Sequence, residues 1–181
     1  KWQGQLLEVL RVPDVHDRAF FIRKKGTRDE FELCSVDAKT GEVKVILHEV
    51  SKPYLNEELF SCRVLNGGED ILLWSDRSGW GHYYHYDGNG KLLNAVTSGE
   101  WTAGRIMKID TVKKQIYLYG YGKEKGCNPN YTHMYRVGFN GKRLTLLTPG
   151  NATHSAFVHL GGGLIVDNFS RIDTVPQISV R

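Results

Sequence analysis

An all-β fold made by repeating one four-stranded antiparallel unit is what this sequence predicts, on three observations. The first is the stretch Leu72 to Trp101, LLWSDRSGWGHYYHYDGNGKLLNAVTSGEW, in which strand-like runs alternate with turn signals. Ile71 to Trp74 is apolar and stops at Ser75 to Gly79, a polar cluster holding the glycine that a reversal needs where φ becomes positive. His82 to Tyr86 is aromatic and rich in β formers. It is closed by Asp87-Gly88-Asn89-Gly90, which carries both dipeptides that favour left-handed residues in a tight hairpin. Leu92 to Thr97 then runs out to Trp101.

The second observation is recurrence. With Gly90 laid on Gly41 and Gly141, at spacings of 49 and 51 residues, the sixth residue onward is Val96, Leu47 and Leu147, and the seventh is Thr97, His48 and Thr148. A β-like run precedes each turn: Phe31 to Val36, His82 to Tyr86 and Met134 to Val137. The third is that no stretch sustains a helical period of 3.6, although Val15 to Phe20 and Pro53 to Phe60 could each form a turn or two. A period near fifty made of short strands and turns belongs with propeller-type repeats. The reading is therefore a partial β-propeller of about three and a half four-stranded antiparallel blades, forming a single partial propeller domain over 1–181. The blades fall roughly at 13–50, 59–98, 102–149 and 154–181.

Each element follows from local pattern. Lys1 to Val12 reads as a lead-in strand, with Pro13-Asp14 as a stop; Ala19 to Ile22 is the next strand, and Glu30 to Val36 returns from the turn at Lys25 to Arg28. Asp37 to Gly41 makes a longer hairpin than its counterparts, and Val43 to His48 follows. The segment SKPYLNEE, Ser51 to Glu58, interrupts the pattern before Leu59 to Val64 resumes it. The third blade reads as Gly104 to Ile109, Gln115 to Tyr121, Tyr131 to Val137 and Leu144 to Thr148. Its middle connection, Gly120 to Asn130, is long for a hairpin and predicts an excursion or mobile flap. The fourth reads as His154 to Leu160, a turn at Gly161 to Gly163, Leu164 to Val166, and Ile178 to Val180, without a final hairpin.

Strand alternation places successive connections at opposite ends of a sheet. The economical turns Asp87 to Gly90, Asn140-Gly141 and Gly161 to Gly163 share one end, while Ser51 to Glu58, Asp76 to Trp80 and Gly120 to Asn130 share the other. Longer, chemically varied loops gathered at one end are where a partner or substrate is met.

Composition excludes several function classes. The 181 residues are 40% hydrophobic with a formal charge of +4, which suits one globular domain. The densest basic pairs, Lys24-Lys25 and Lys113-Lys114, do not grow into the patch expected of a nucleic-acid binder. No apolar run reaches the length that spans a bilayer as a helix. Cys34, Cys62 and Cys127 give neither a disulfide framework nor a zinc signature, and they read as free thiols. Asn130, Asn151 and Asn168 begin glycosylation triplets, a pattern informative only in a eukaryotic secretory protein.

Individual motifs point away from chemistry in these residues. His82 and His85 are three apart, which on a strand sends them to opposite faces, so no metal is expected there. Asp87 to Gly90 lacks the glycine position and closing glutamate of a calcium loop. No serine has glycine two before and two after it, and Gly120-Tyr121-Gly122 lacks the rest of a phosphate-binding fingerprint. No catalytic residue and no cofactor is expected. Glu57-Glu58 reads as a solvated turn. The aromatics Trp74, Trp80, Trp101, Tyr83, Tyr84, Tyr86, Tyr117, Tyr119 and Tyr121, alternating with polar residues along strands, read as wedges between neighbouring blades.

Taken together, Trp74-Ser75-Asp76-Arg77-Ser78-Gly79-Trp80-Gly81-His82-Tyr83, the Asp87-Gly88 turn, Thr97 to Trp101, Leu147 to Gly150 and Thr153-His154-Ser155 resemble the N-terminal β-propeller region of the dipeptidyl peptidase IV family, in the prolyl oligopeptidase clan of serine peptidases. The resemblance runs over nearly the whole chain. It implies a secreted or periplasmic exopeptidase that removes N-terminal dipeptides with proline or alanine second. An eight-bladed propeller in that family gates an α/β-hydrolase domain that supplies the catalytic residues and is absent from this sequence. The family's amine-binding, glutamate-rich segment is also absent. By the same resemblance, the connection before Leu59 to Val64 approaches the active site, so Tyr54, Leu55, Asn56, Glu57 and Glu58 are the substrate-channel candidates. The expected role is non-catalytic gating and peptide positioning, with peptide substrate met through the parent's hydrolase domain; a stand-alone propeller-type interaction module is the alternative. Open blade faces also predict self-association, as a homodimer of facing copies.

Overall fold

The computed structural model describes residues 4–159, 161 and 163–181. Lys1 to Gln3 of the expected lead-in strand, Leu160 at the end of the expected strand His154 to Leu160, and Gly162 of the turn after it lie outside the described residues. Among the described residues fifteen strands follow one another: β1 (Leu6–Leu10), β2 (Arg18–Lys24), β3 (Glu30–Asp37), β4 (Val43–Val50), β5 (Cys62–Leu65), β6 (Asp70–Ser75), β7 (His82–Asp87), β8 (Leu92–Ala95), β9 (Thr102–Asp110), β10 (Gln115–Tyr121), β11 (Thr132–Gly138), β12 (Thr145–Leu146), β13 (Thr153–Val158), β14 (Ile165–Arg171) and β15 (Thr174–Val180). The one helical segment among the described residues is a 3-10 turn at Asn66–Gly68. The strands form sheets in the orders β1-β2-β3-β4, β5-β6-β7-β8, β12-β11-β10-β9 and β13-β14-β15. Three sheets of four strands and one of three are the expected partial propeller, and the lead-in strand supplies the first strand of the first sheet. Of the two segments that could have turned helical, Arg18 to Phe20 belongs to β2 and Asn56 to Phe60 makes one turn.

The repeat is physically real at its glycines. Gly41, Gly90 and Gly141 all sit in the left-handed region, with φ of 70°, 84° and 74°. Each donates its N–H back across the turn, to the carbonyls of Asp37 (3.0 Å), Asp87 (3.0 Å) and Gly138 (2.9 Å). The first turn holds one more residue, as its sequence predicts. Gly88 departs from expectation because it is not left-handed. It is small because a Cβ there would run into the backbone carbonyl of Gly68.

Seven residues beyond two of these glycines stands a buried threonine. Thr97 Oγ1 accepts the N–H of Tyr83 (3.1 Å), and Thr148 Oγ1 accepts that of Met134 (2.8 Å). Each hydroxyl accepts a strand N–H just past the end of the short β8 and β12. His48, at the same repeat position in the first sheet, instead pairs with Glu30 (2.8 Å).

The chain divides into two compact units, one running through Arg77 and including Tyr84–Asn94, the other comprising Ser78–Tyr83 with Ala95–Arg181. In the first, Phe20, Ile22, Phe31, Leu33 and Leu47 of one sheet pack on Cys62, Val64, Ile71, Leu73, Tyr84 and Tyr86 of the next. Burial at these positions contributes about 1.5–3 kcal/mol for each large side chain. In the second, Tyr117 and Met134 meet Ala156, Val158 and Ile165. There Tyr119 spans two strands, its hydroxyl accepting from Ala156 N–H (2.9 Å).

The hairpin glycines provide a graded test. Gly41 has open space where a Cβ would go, whereas a Cβ on Gly90 would overlap the carbonyl of Ile46. Gly41→Ala is expected to cost about 1–2 kcal/mol from backbone conformation alone. Gly90→Ala is expected to cost clearly more, read as the difference between the two urea-unfolding free energies.

Candidate functional site

The connection β4 to β5 and the turn β2 to β3 leave the same end of the first sheet, and backbone hydrogen bonds tie them together. Ser51 N–H donates to Asp29 O (2.8 Å) and Leu55 N–H to Arg28 O (2.7 Å). Between them opens a cleft of about 670 Å³ lined by Thr27, Arg28, Lys52 to Glu58 and Asp76. All five candidate residues border it, and they divide by role.

Leu55 is 4% exposed and belongs to the core of the first unit. Asn56 organises the turn, its Oδ1 accepting Leu59 N–H (3.2 Å) and its carbonyl accepting Phe60 N–H (2.8 Å). Glu57, read from sequence as part of a solvated turn, is exposed and in a turn, and it also pairs with Lys24 at 2.9 Å. That ammonium lies 4.3 Å from the Phe60 ring centre, and Phe60 meets Phe31 edge-on at 4.9 Å. The Lys24–Glu57 pair is half-sheltered and fixes the connection against the sheet.

Tyr54, 64% exposed, and Glu58 remain directed to solvent without hydrogen-bond or ion-pair partners among the described residues. Arg28 likewise has a free guanidinium there, on a residue whose φ of 58° pushes it out of the turn. Asp76 closes the rim by accepting from Ser51 Oγ (3.3 Å). The cleft thus offers an aromatic ring, an acid and a base on a backbone-braced frame, groups capable of stacking and charge pairing.

Beside it, the Trp74 to Trp80 stretch is structural. Ser75 and Arg77 both bind Glu49, and the Arg77 guanidinium lies 4.4 Å from the Tyr84 ring centre. Gly79, at φ 88°, makes the reversal its sequence predicts.

Sequence reasoning missed the buried histidine contacts. His85 Nε2 meets Asp70 (2.7 Å), and His154 Nδ1 meets Asp167 (3.0 Å). Each pair bridges neighbouring strands, His154 reaching diagonally to Asp167, whose direct cross-strand partner is Ala156, so only strand pairing could have revealed it. His82, which bonds Thr97 and Gly99, has its pKa lowered by burial. Among the described residues no group of three or more histidine, cysteine or acidic side chains could hold a metal, and no helix is long and apolar enough to cross a membrane. Cys34 and Cys62 are buried free thiols, and Cys127 is half-buried. The long Gly120 to Asn130 connection is tied down by Tyr135 Oη donating to Glu124 (2.9 Å) and by Asn128 N–H donating to Asn151 (3.1 Å).

The family model of the dipeptidyl peptidase IV (DPP IV) N-terminal region matches residues 12–176. The chain belongs to that family. Among curated DPP IV relatives, the dipeptidyl peptidase 4 of Trichophyton rubrum is 31% identical over 143 residues, covering 77% of this chain and 18% of the relative. The dipeptidyl peptidase 4 of Arthroderma otae is 29% identical over 164 residues, covering 88% and 21%. The chain therefore spans about a fifth of the length of these relatives. The crystal structure of Porphyromonas gingivalis dipeptidyl peptidase 4 matches with a TM-score of 0.74 at 21% identity, over 91% of this chain and 22% of that one. At that identity the likeness speaks to the fold, which is the DPP IV propeller region.

The cleft residues separate in a stability test. Leu55→Ala is expected to cost about 2–5 kcal/mol, and Tyr54→Ala or Glu58→Gln to stay within about 0.5 kcal/mol, by urea unfolding. A second test uses Cys62, whose thiol pKa burial pushes up to about 12. Because the folded value is raised, that contribution is present below the unfolded thiol range and fades as pH climbs through about 12. Cys62→Ala is expected to flatten the fall in unfolding free energy between about pH 9 and pH 11 relative to the parent chain.

Proposed function

We propose that this chain is the non-catalytic propeller portion of a dipeptidyl peptidase IV-like serine exopeptidase, which gates access and helps position peptides while a hydrolase domain outside these residues releases N-terminal dipeptides. The observation that carries the reading is the braced cleft, where Tyr54, Glu58 and Arg28 project from two connections at the loop-rich end of the first sheet. Family membership supports it, and so do relatives that are dipeptidyl peptidases by name. In this reading Tyr54 stacks on the peptide, while Glu58 and Arg28 pair with its charged groups. None of them takes part in acyl transfer, which needs a serine, a base and an oxyanion site supplied elsewhere. The compartment consistent with this role is the periplasm or the cell exterior.

The division of labour is testable. The 181-residue chain alone is expected to turn over no Gly-Pro or Ala-Pro reporter. In the peptidase that carries it, Tyr54→Ala combined with Glu58→Gln is expected to raise KM several-fold with kcat nearly unchanged, as loss of binding shared by ground and transition states requires. Turnover by the isolated chain that a serine-directed inhibitor abolishes, or a loss confined to kcat, would contradict the assignment.

A further inference from the structure

Three asparagine-glycine pairs occur in the sequence, Asn66-Gly67, Asn89-Gly90 and Asn140-Gly141, and all lie in turns between neighbouring strands. In such a pair the glycine nitrogen can attack the carboxamide carbon of the asparagine before it, because no Cβ stands in the way. The three are not equivalent. Gly90 N–H is held by Asp87 O (3.0 Å) and Gly141 N–H by Gly138 O (2.9 Å), so in both hairpins the attacking nitrogen is engaged in the turn. Asn140 is fixed further, its Oδ1 accepting Lys142 N–H (3.0 Å). Gly67 N–H has no such acceptor among the described residues. It follows Asn66 at the start of the 3-10 turn, where the first N–H groups of a helical segment find no partner within it.

The surroundings of Asn66 favour the attack. Its backbone carbonyl accepts Glu69 N–H (3.2 Å), which stabilises the charge that spreads onto this oxygen when the Gly67 nitrogen gives up its proton. Its side-chain Nδ2 donates to Asp70, a residue 5% exposed. That nitrogen is the leaving group, and a carboxylate beside it favours the positive charge it gathers on departing.

From this contrast we infer that Asn66 is a site of spontaneous deamidation, converting ahead of Asn89 and Asn140 in the folded chain. The Gly67 nitrogen loses its proton to hydroxide and bonds to Asn66 Cγ. The Cγ–Nδ2 bond breaks, Nδ2 takes a proton from water and leaves as ammonia, and a succinimide ring remains. Water then opens the ring, at Cγ to give aspartate or at the backbone carbonyl carbon to give isoaspartate. Either product disturbs the β5–β6 hairpin. Aspartate sets a second carboxylate beside Asp70, which also holds the buried His85 (2.7 Å). Isoaspartate adds a methylene to the backbone of a turn without slack, since a Cβ on Gly68 would come within 2.7 Å of the Phe20 ring and the Gly68 carbonyl lies against Gly88. The inference stands apart from the peptidase reading, because it needs no property of the cleft.

Trypsin separates the three asparagines into the peptides Val64 to Arg77, Ser78 to Lys91 and Val137 to Lys142. With the folded chain held at mildly alkaline pH and sampled over days, mass spectrometry is expected to show the exchange of NH2 for OH several-fold faster in the first peptide than in the other two. In concentrated urea the three rates are expected to converge, because the Asp87 and Gly138 carbonyls no longer hold the glycine nitrogens. Equal rates in the folded chain, faster conversion at Asn89 or Asn140, or the same spread of rates in urea would each overturn the assignment, and none of these readings requires a variant. The structural consequence is read from Asn66→Asp and Asn66→Ser, which both lose the amide bond to Asp70 while only the first adds a charge. Asn66→Asp is expected to unfold at the lower urea concentration; an equal or higher midpoint would refute the like-charge account.

Discussion

A four-stranded sheet with apolar side chains on both faces cannot stand alone in water, and this necessity governs the rest of the molecule. Each strand alternates, so every sheet presents two faces, and each face must find another sheet or remain a site of adhesion. Within the first unit the pairing of Phe20, Ile22, Phe31 and Leu33 with Ile71, Leu73, Tyr84 and Tyr86 meets the requirement. The second unit repeats it with Tyr117 and Met134 against Ala156, Val158 and Ile165, adding the Tyr119 hydroxyl as a polar stitch to Ala156. The fifty-residue period is the sequence image of this packing.

How much of that was legible follows from how local each signal is. The strands and their order could be read because apolar alternation and turn glycines act over a few residues, and Gly41, Gly90 and Gly141 proved to share one conformation as well as one alignment. The small size of Gly88 could not be read correctly, since its cause is the carbonyl of Gly68, supplied by a different hairpin. The His85–Asp70 and His154–Asp167 pairs were invisible for a related reason. Residues so far apart along the chain become neighbours only when strand register is known.

The site shows the same boundary. Position in the topology and family likeness were enough to single out Tyr54 to Glu58, and all five border the cleft. Their sorting was not available beforehand. Leu55 is a core residue, Asn56 shapes a turn and Glu57 is tied to Lys24, which leaves Tyr54 and Glu58 directed to solvent. Arg28 joins them because Leu55 bonds to its carbonyl, a link that no local pattern announces.

The tight hairpins carry a wider implication. Gly90 lies against the carbonyl of Ile46, and a Cβ on Gly141 would come within 2.6 Å of that of Ala95, so each hairpin tip nests on the last strand of the sheet before it. Evolution has little freedom at that edge, because a lengthened turn there would prise adjoining layers apart. The opposite rim has more room for novelty, because solvent-directed positions such as Tyr54 and Glu58 can change chemistry while Leu55 and Glu57 keep the connection anchored beneath them.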